Sequence, residues 1–459
     1  MSAIEGEVPA SFRDPSGFLF YQDGILYRQV NVVYKDSYDT LIHTGLYASL
    51  VNDGLLVSHE ETDIAPPRPE IAYKVLKPQL MPFISYPYEW CFSQLKDAAL
   101  TTLKIQRRAL SFGMTLKDAS AYNLQFYAGK PVFIDTLSFD IYREGQLWTA
   151  YRQFCQHFLA PLALMSYKDI RLNQLLRIYM DGIPLDLTSS LLPFRTRFRL
   201  SLLTHIHLHA SSQRRYADKP IDISHKKLSR MGLVGILDSL ESVVMGLKWK
   251  PIGTEWADYY NDTNYSAEAF DDKRRIVAEF LNAVSPTNVW DLGGNIGVFS
   301  RIACAKGIPA VCMDIDPAAV EINYLDAVSK NERSILPLVI DMGNPSSGIG
   351  WGNQERMSLE QRGPTDTALA LALVHHLCIS GNVPFRALAD FLGRTCKNLI
   401  IEFIPKTDSQ VQRLLATRQD VFSDYTQTTF HDEFARRFVV EEPIRIKDSQ
   451  RMLYLMRAR

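Results

Sequence analysis

The stretch VWDLGGNIGVFS, residues 289–300, constrains this chain more than any other. An apolar, β-rich run ends on Asp291, and Gly293, Gly294 and Gly297 then lead into a second apolar run. Residues in this order make a strand, a tight turn and a helix start, which together set backbone N–H groups and a helix N-terminus beside a bound ligand. The neighbouring sequence repeats the theme. From about Pro251, the short β-rich runs TNVWDLGG, AVCMDID, ILPLVID, TALALALV and CKNLIIEFI alternate with helical stretches. That alternation predicts a mostly parallel, doubly wound α/β sheet whose ligands sit at the C-terminal ends of the strands.

Three of those ends carry an acid: Asp291, then Asp314 in AVCMDIDPAAVE, then Asp341 in LVIDMGN. A carboxylate at the end of the second strand is placed to accept hydrogen bonds from ribose hydroxyls. Asp316 stands next to that position, and it also suits the cap of a helix that Pro317 opens. The order Asp291-Leu-Gly293-Gly294-Asn295-Ile-Gly297 resembles motif I of the class I S-adenosylmethionine-dependent methyltransferases, with Asn295 in place of the middle glycine. The resemblance implies a Rossmann-like sheet with S-adenosylmethionine as cofactor and no metal. It assigns the cofactor to Asp291, Gly293, Gly294, Asn295 and Gly297, the ribose to Asp314, the adenine edge to Asp341, and the face of the base to Met342.

At the end of the fourth strand, ALALALVHHL, the methyl acceptor is expected, and His375 and His376 are the candidates to position it or take its proton. Adjacent residues of an extended strand face opposite ways, so one histidine at most is expected in the site. Glu355, Arg356 and Arg362 before that strand, and Glu402 and Lys406 after the fifth, are candidate substrate contacts near the same rim. The aromatic segment Trp256 to Ser266 is a candidate lid. ERMSLEQR, LALVHHL, NVPF, IIEFIPK and RQDVFSDYT resemble the bacterial methyltransferase group that includes NoeA-type nodulation proteins. That resemblance covers roughly Trp256 to the C-terminus and leaves the acceptor unidentified. O- or N-methylation of a small molecule, glycan or lipid is the expectation. The Asn/Asp-Pro-Pro-Tyr motif of amino-directed nucleobase and glutamine methyltransferases is missing.

The first half reads differently. SGFLFYQDGILYRQV holds two β-rich runs around Asp23-Gly24, a hairpin signal. A helical stretch follows and stops at Gly54, and LLVSHEE and AYKVLKPQLMPFISYP read as strands. A long helix is expected from Tyr88 to about Leu110, and Gln146 to His209 reads as largely helical, broken near DGIPLDL. Asp118, Asn123 and Asp135 resemble the catalytic-loop and metal-binding residues of kinase-like phosphotransferases, in which the first Asp orients the acceptor and the others hold magnesium. The Gly-rich phosphate loop and the Val-Ala-x-Lys strand are not evident, and Arg28 and Lys74 are the candidates for the missing cation. The expectation is a degenerate kinase-like module that binds substrate or partner, with an active phosphotransferase as the alternative. The boundaries expected are 1–215 for this α+β domain, 216–250 for a helical connector and 251–459 for the methyltransferase domain.

At 459 residues the chain exceeds one ordinary core. A net charge of −1 gives no global bias towards nucleic acid or an anionic surface. Charge is concentrated locally, with nine Lys or Arg against two Asp between Arg195 and Arg230, which reads either as a phosphate-seeking patch or as a solvated helix face with linker. His205, His207 and His209 stand at period two, suited to a metal only if extended. The six cysteines are scattered without a Cys-x-x-Cys pair and read as reduced core residues, and the cytoplasm is the default compartment.

Overall fold

The computed structural model describes residues 6–209, 228–251, 266–416 and 418–459. Its chain divides into two units, Met1–Trp249 with Ile349–Arg356, and Lys250–Gly348 with Met357–Arg459.

Unit 1 begins with a five-stranded antiparallel sheet: β1 (Gly6–Glu7), β2 (Gly17–Gln22), β3 (Ile25–Asn31), β4 (His59–Thr62) and β5 (Ala72–Pro78), in the order β1-β2-β3-β5-β4. The Asp23-Gly24 turn joins β2 to β3, both residues at positive φ, as the hairpin signal requires. The single helix expected after β3 is two, α1 (Lys35–His43) and α2 (Leu46–Asn52), because Gly45 at φ 81° breaks the run. The long helix α3 (Phe92–Ser111) is followed by β6 (Met114–Leu116), the hairpin β7 (Leu124–Tyr127) and β8 (Lys130–Phe133), and β9 (Phe139–Ile141), which pairs with β6. Helical turns then fill Tyr151 to Leu208, interrupted around Gly182.

The expected separate connector is instead part of unit 1. Its described portion is α4 (Arg230–Gly246), fixed to α3 by Arg107 pairing with Asp238 and Glu241 and by Lys96 donating to the carbonyls of Met245 and Leu247. Most of the basic stretch beyond Arg199, at 210–227, lies outside the described residues, as does the candidate lid up to Tyr265.

In unit 2, α5 (Ala267–Val284) starts at Ser266, whose hydroxyl accepts the Ala269 N–H, and turns Ile276, Val277 and Leu281 into the core. The sheet consists of β10 (Val289–Leu292), β11 (Ala310–Asp314), β12 (Ile335–Val339), β13 (Thr365–Ala370), β14 (Cys396–Phe403), β15 (Phe438–Val440), β16 (Ile444–Arg445) and β17 (Met452–Ala458). Its order is β12-β11-β10-β13-β14-β17-β15, with β16 on β17. The strands β10 to β14 are mutually parallel and β17 runs against β14. The chain leaves β10 in one direction towards β12 and returns to its other side at β13, so the switch in strand order falls between β10 and its neighbours, where a doubly wound sheet opens a crevice. Helices α6 (Ser300–Cys304), α7 (Pro317–Ser329) and α8 (Phe385–Thr395) complete the crossovers. This is the Rossmann-like sheet that the alternating sequence predicts.

Candidate active site

The crevice is a cleft of about 500 Å³, within the range of small-molecule sites. Asp291, Gly293, Gly294, Asn295, Asp314, Asp341, Met342 and His376 all line it. The turn after β10 alternates: Gly293, Asn295 and Gly297 have φ of 76°, 49° and 80°. Asparagine tolerates that region better than most side chains, which explains how it replaces the middle glycine. Gly294 needs no positive φ, but a Cβ there would lie 2.5 Å from the Cys312 Sγ and 2.8 Å from the Asp291 carboxylate. Gly297 departs from expectation. It is absent from the cleft wall, and its missing Cβ leaves room for Asn323 of α7, which would lie 2.6 Å away. Its role is close packing of the turn on a helix.

Asp291 is buried, and its Oδ2 accepts from the Ser300 hydroxyl at 2.7 Å, binding strand to helix. Asp314 ends β11, where Oδ2 accepts the Asn295 N–H at 2.8 Å and Oδ1 the Asp316 N–H at 2.9 Å. Two of roughly four lone-pair positions are thus used, and the others are available to the cleft. Burial pushes both carboxyls up to about 6. Asp316 does cap α7, accepting the Ala318 N–H, and stays out of the cleft. Asp341 folds back onto the Gly343 N–H.

The histidines do not stand on a strand. The strand β13 stops at Ala370, and Val374 onwards is helical, so the two rings lie side by side with centroids 4.0 Å apart. His376 lines the cleft, whereas His375 is buried outside its wall with Nδ1 lacking a hydrogen-bond partner among the described residues. Burial lowers both, His376 to about 4, so both imidazoles are neutral at ordinary pH.

The nodulation protein NoeA of Rhizobium meliloti (strain 1021) is 37% identical to this chain over a 461-residue alignment covering 98% of this chain and 95% of the relative. The chain belongs to the NoeA family. No protein-family model matches it. Among solved structures, the N-methyltransferase NodS of Bradyrhizobium japonicum WM9 is similar over 42% of this chain and 98% of its own, at 12% identity and a TM-score of 0.31. Magnesium protoporphyrin IX methyltransferase (ChlM) of Synechocystis PCC 6803 with bound SAH is similar over 44% and 92%, at 17% and 0.32. The bifunctional kinase-methyltransferase WbdD matches over 45% of this chain and less than half of its own length, 43%, at 16% identity and 0.30.

One cleft residue of this NoeA-family chain escapes a reading by motif. Lys273, on α5, lines the cleft with its side chain 3% exposed. Its Nζ donates to the Glu402 Oε2 at 2.7 Å and lies over the Phe299 ring. Glu402 also accepts the Ala372 N–H, and Arg451 stands 3.7 Å from its other oxygen while making a two-pronged bond to Asp408. Glu402 is therefore a buried member of an ion network, not a rim contact. Among the other rim candidates, Lys406 pairs with Asp420, and Glu355 and Arg356 belong to unit 1, where Glu355 pairs with Arg13 and Arg356 covers the Tyr122 ring. Arg362 is on the turn Glu360–Arg362, outside the cleft wall.

In unit 1 the structure gathers the kinase-like candidates. Arg28 on β3 pairs with Asp135, which follows β8. The Ser138 hydroxyl donates to Asp135 and accepts from the Asn123 Nδ2 at 3.2 Å. Asp118 accepts the Ser120 N–H at 2.8 Å and is raised by burial. Burial works to raise Asp135 as well, but Arg28 beside it holds it lower. Lys74 pairs with Glu61 instead. His205 and His207 are in the π-helical turn Leu203–Leu208 and His209 follows it, and the first two are hydrogen-bonded to hydroxyls: His205 to Tyr151 and Ser239, and His207 to Ser189 and Thr196. Among the described residues no cluster of three His, Cys, Asp or Glu has metal-holding geometry.

Proposed function

We propose that unit 2 is an S-adenosylmethionine-dependent methyltransferase acting on a hydroxyl or amine of a small molecule, glycan or lipid. The reading is carried by Asp314, a carboxylate at the end of β11 that is fixed by two backbone N–H groups and still faces the cleft beside the Gly293-Gly294-Asn295 turn. The residues present suit the cofactor. Gly293 at φ 76° makes the tight turn that brings backbone to the cleft, Asp314 would receive its ribose hydroxyls, Asp341 and Met342 would flank its base, and Lys273 adds a cation to a wall otherwise rich in acids. When bound, the cofactor supplies an electrophilic methyl group on a sulfonium.

The chain then contributes mainly positioning, which brings the acceptor atom in line and excludes water. His376 is the histidine on the cleft wall, and its neutral imidazole can accept a hydrogen bond from an acceptor hydroxyl and hold it in place. His375 packs its ring beside that of His376, with centroids 4.0 Å apart.

Calorimetric titration with S-adenosylhomocysteine tests the cofactor reading, and silence at neutral pH defeats it. The pH dependence tests Asp314 itself. Ribose hydroxyls donate to the ionised carboxylate, and a group near 6 is mostly protonated at pH 5, so affinity should fall about tenfold between pH 7.5 and pH 5. Asp316 and Asp291 are the charged neighbours, and both act to raise it. Affinity unchanged to pH 5 would remove Asp314 from the role.

For unit 1 we propose a kinase-like module that binds rather than phosphorylates, because Arg28 and Asp135 already satisfy each other. Magnesium-ATP is expected to leave the melting temperature unchanged within a degree. A rise that disappears in Asp135→Ala would instead favour an active phosphotransferase.

A further inference from the structure

One surface of unit 1 is used by neither reading. Between Pro193 and Leu208 the side chains sort by chemistry and by exposure. His205, Ile206 and His207 point inwards, and the hydrogen bonds of the two histidines clamp the turn to Tyr151, Ser239, Ser189 and Thr196. What this clamp presents outwards is unusual for a protein surface: Phe194, Phe198 and Leu200 are 69%, 79% and 77% exposed, interleaved with exposed Arg195, Arg197 and Arg199. The two phenyl rings meet edge-on at 5.5 Å, and Arg197 lies over Phe194, so the apolar and cationic groups form one patch. None of the three arginines has an ion-pair partner among the described residues. The sequence has no acid from Leu187 to Ala217, and Arg214 and Arg215 fall in the same interval.

We propose that this patch docks unit 1 onto the surface of an anionic phospholipid bilayer. Exposed aromatic and aliphatic side chains gain by entering the headgroup–acyl boundary, while adjacent arginines gain from the negative surface potential, so an anionic lipid interface rewards both at once. A nucleic acid would use the arginines but return nothing for Leu200 and the exposed Leu208. Among the described residues no helix is long and apolar enough to cross a membrane, so the contact is peripheral.

The test is co-sedimentation of the full chain with vesicles of phosphatidylcholine alone and of phosphatidylcholine with one quarter phosphatidylglycerol. Binding to the mixed vesicles should exceed binding to the neutral ones at least tenfold and fall in 0.5 M salt. The pair Phe194→Ser with Phe198→Ser, and separately the triple change of Arg195, Arg197 and Arg199 to Gln, should each lower it about tenfold with the melting temperature retained. Equal binding to both vesicles, or no binding, overturns the proposal. So does a phenylalanine pair that binds like the wild type while the arginine variant loses affinity for an oligonucleotide, which would assign the patch to nucleic acid.

Discussion

Asp314→Ala is expected to raise the dissociation constant for S-adenosylhomocysteine at least a hundredfold. Hydrogen bonds to a charged acceptor are worth about 1.5–3 kcal/mol each, and two ribose hydroxyls would lose theirs together. The same change strips the Asn295 and Asp316 N–H groups of their acceptor, so the turn after β10 would also loosen. Asp316→Ala is the control. It removes the N-cap of α7, at about 0.5–2 kcal/mol of stability, from a residue outside the cleft wall, and should leave affinity within threefold of the wild type. If the two variants lose affinity equally, the cleft does not bind ribose through Asp314. The sign of its titration keeps binding and folding apart. Its carboxyl lies above the unfolded value, so burial of the charge costs stability at neutral pH, and the cost is relieved as pH falls through about 6. Affinity should therefore decline in mild acid without unfolding caused by this group.

The second large effect is on stability. Glu402→Leu leaves Lys273 as a buried cation without its carboxylate, and removal of one partner of a buried pair costs about 3–5 kcal/mol. At about 2–4 °C per kcal/mol for a unit of this size, the melting temperature should drop by roughly 6–20 °C. Lys273→Met should cost less, because Glu402 keeps the Ala372 N–H and has Arg451 3.7 Å from its other oxygen. The double variant should recover most of the loss, because Arg451 and Asp408 remain a matched, two-pronged pair. Differential scanning calorimetry of the four proteins closes the cycle, and simple additivity would show that the charges are not coupled.

The cleft was legible because its determinants are local. An acid at a strand end, a glycine that needs positive φ and a Pro after a capping Asp each declare themselves within a few residues, as Asp314, Gly293 and Asp316-Pro317 do. Where the reading failed, the cause was long range. Lys273 sits in FDDKRRIV and reads as one more solvated charge, although its spacing from Phe270, Ile276, Val277 and Phe280 puts it on the apolar stripe of α5. Its partner lies 129 residues away. ALALALV reads as continuous strand up to the histidine pair, whereas the chain leaves the sheet at Ala370 and Ala372 takes φ 52°, so the single histidine on the cleft wall is set by a helical turn and not by strand alternation. Gly297 carries the right residue for the motif but serves packing on α7, a distinction that spacing alone does not encode.

The return of Ile349–Arg356 to unit 1 bears on how this gene can be cut. Glu355 is 1% exposed beneath Arg13, and Arg356 shields Tyr122, so residues encoded inside the methyltransferase half complete the other half. A fragment ending at Trp249 would lack part of its own interior, and a fragment starting at Lys250 would carry a segment whose seat had been removed. Recombination that exchanged either half at that junction would break a folding unit, which ties the two halves into a single unit of inheritance.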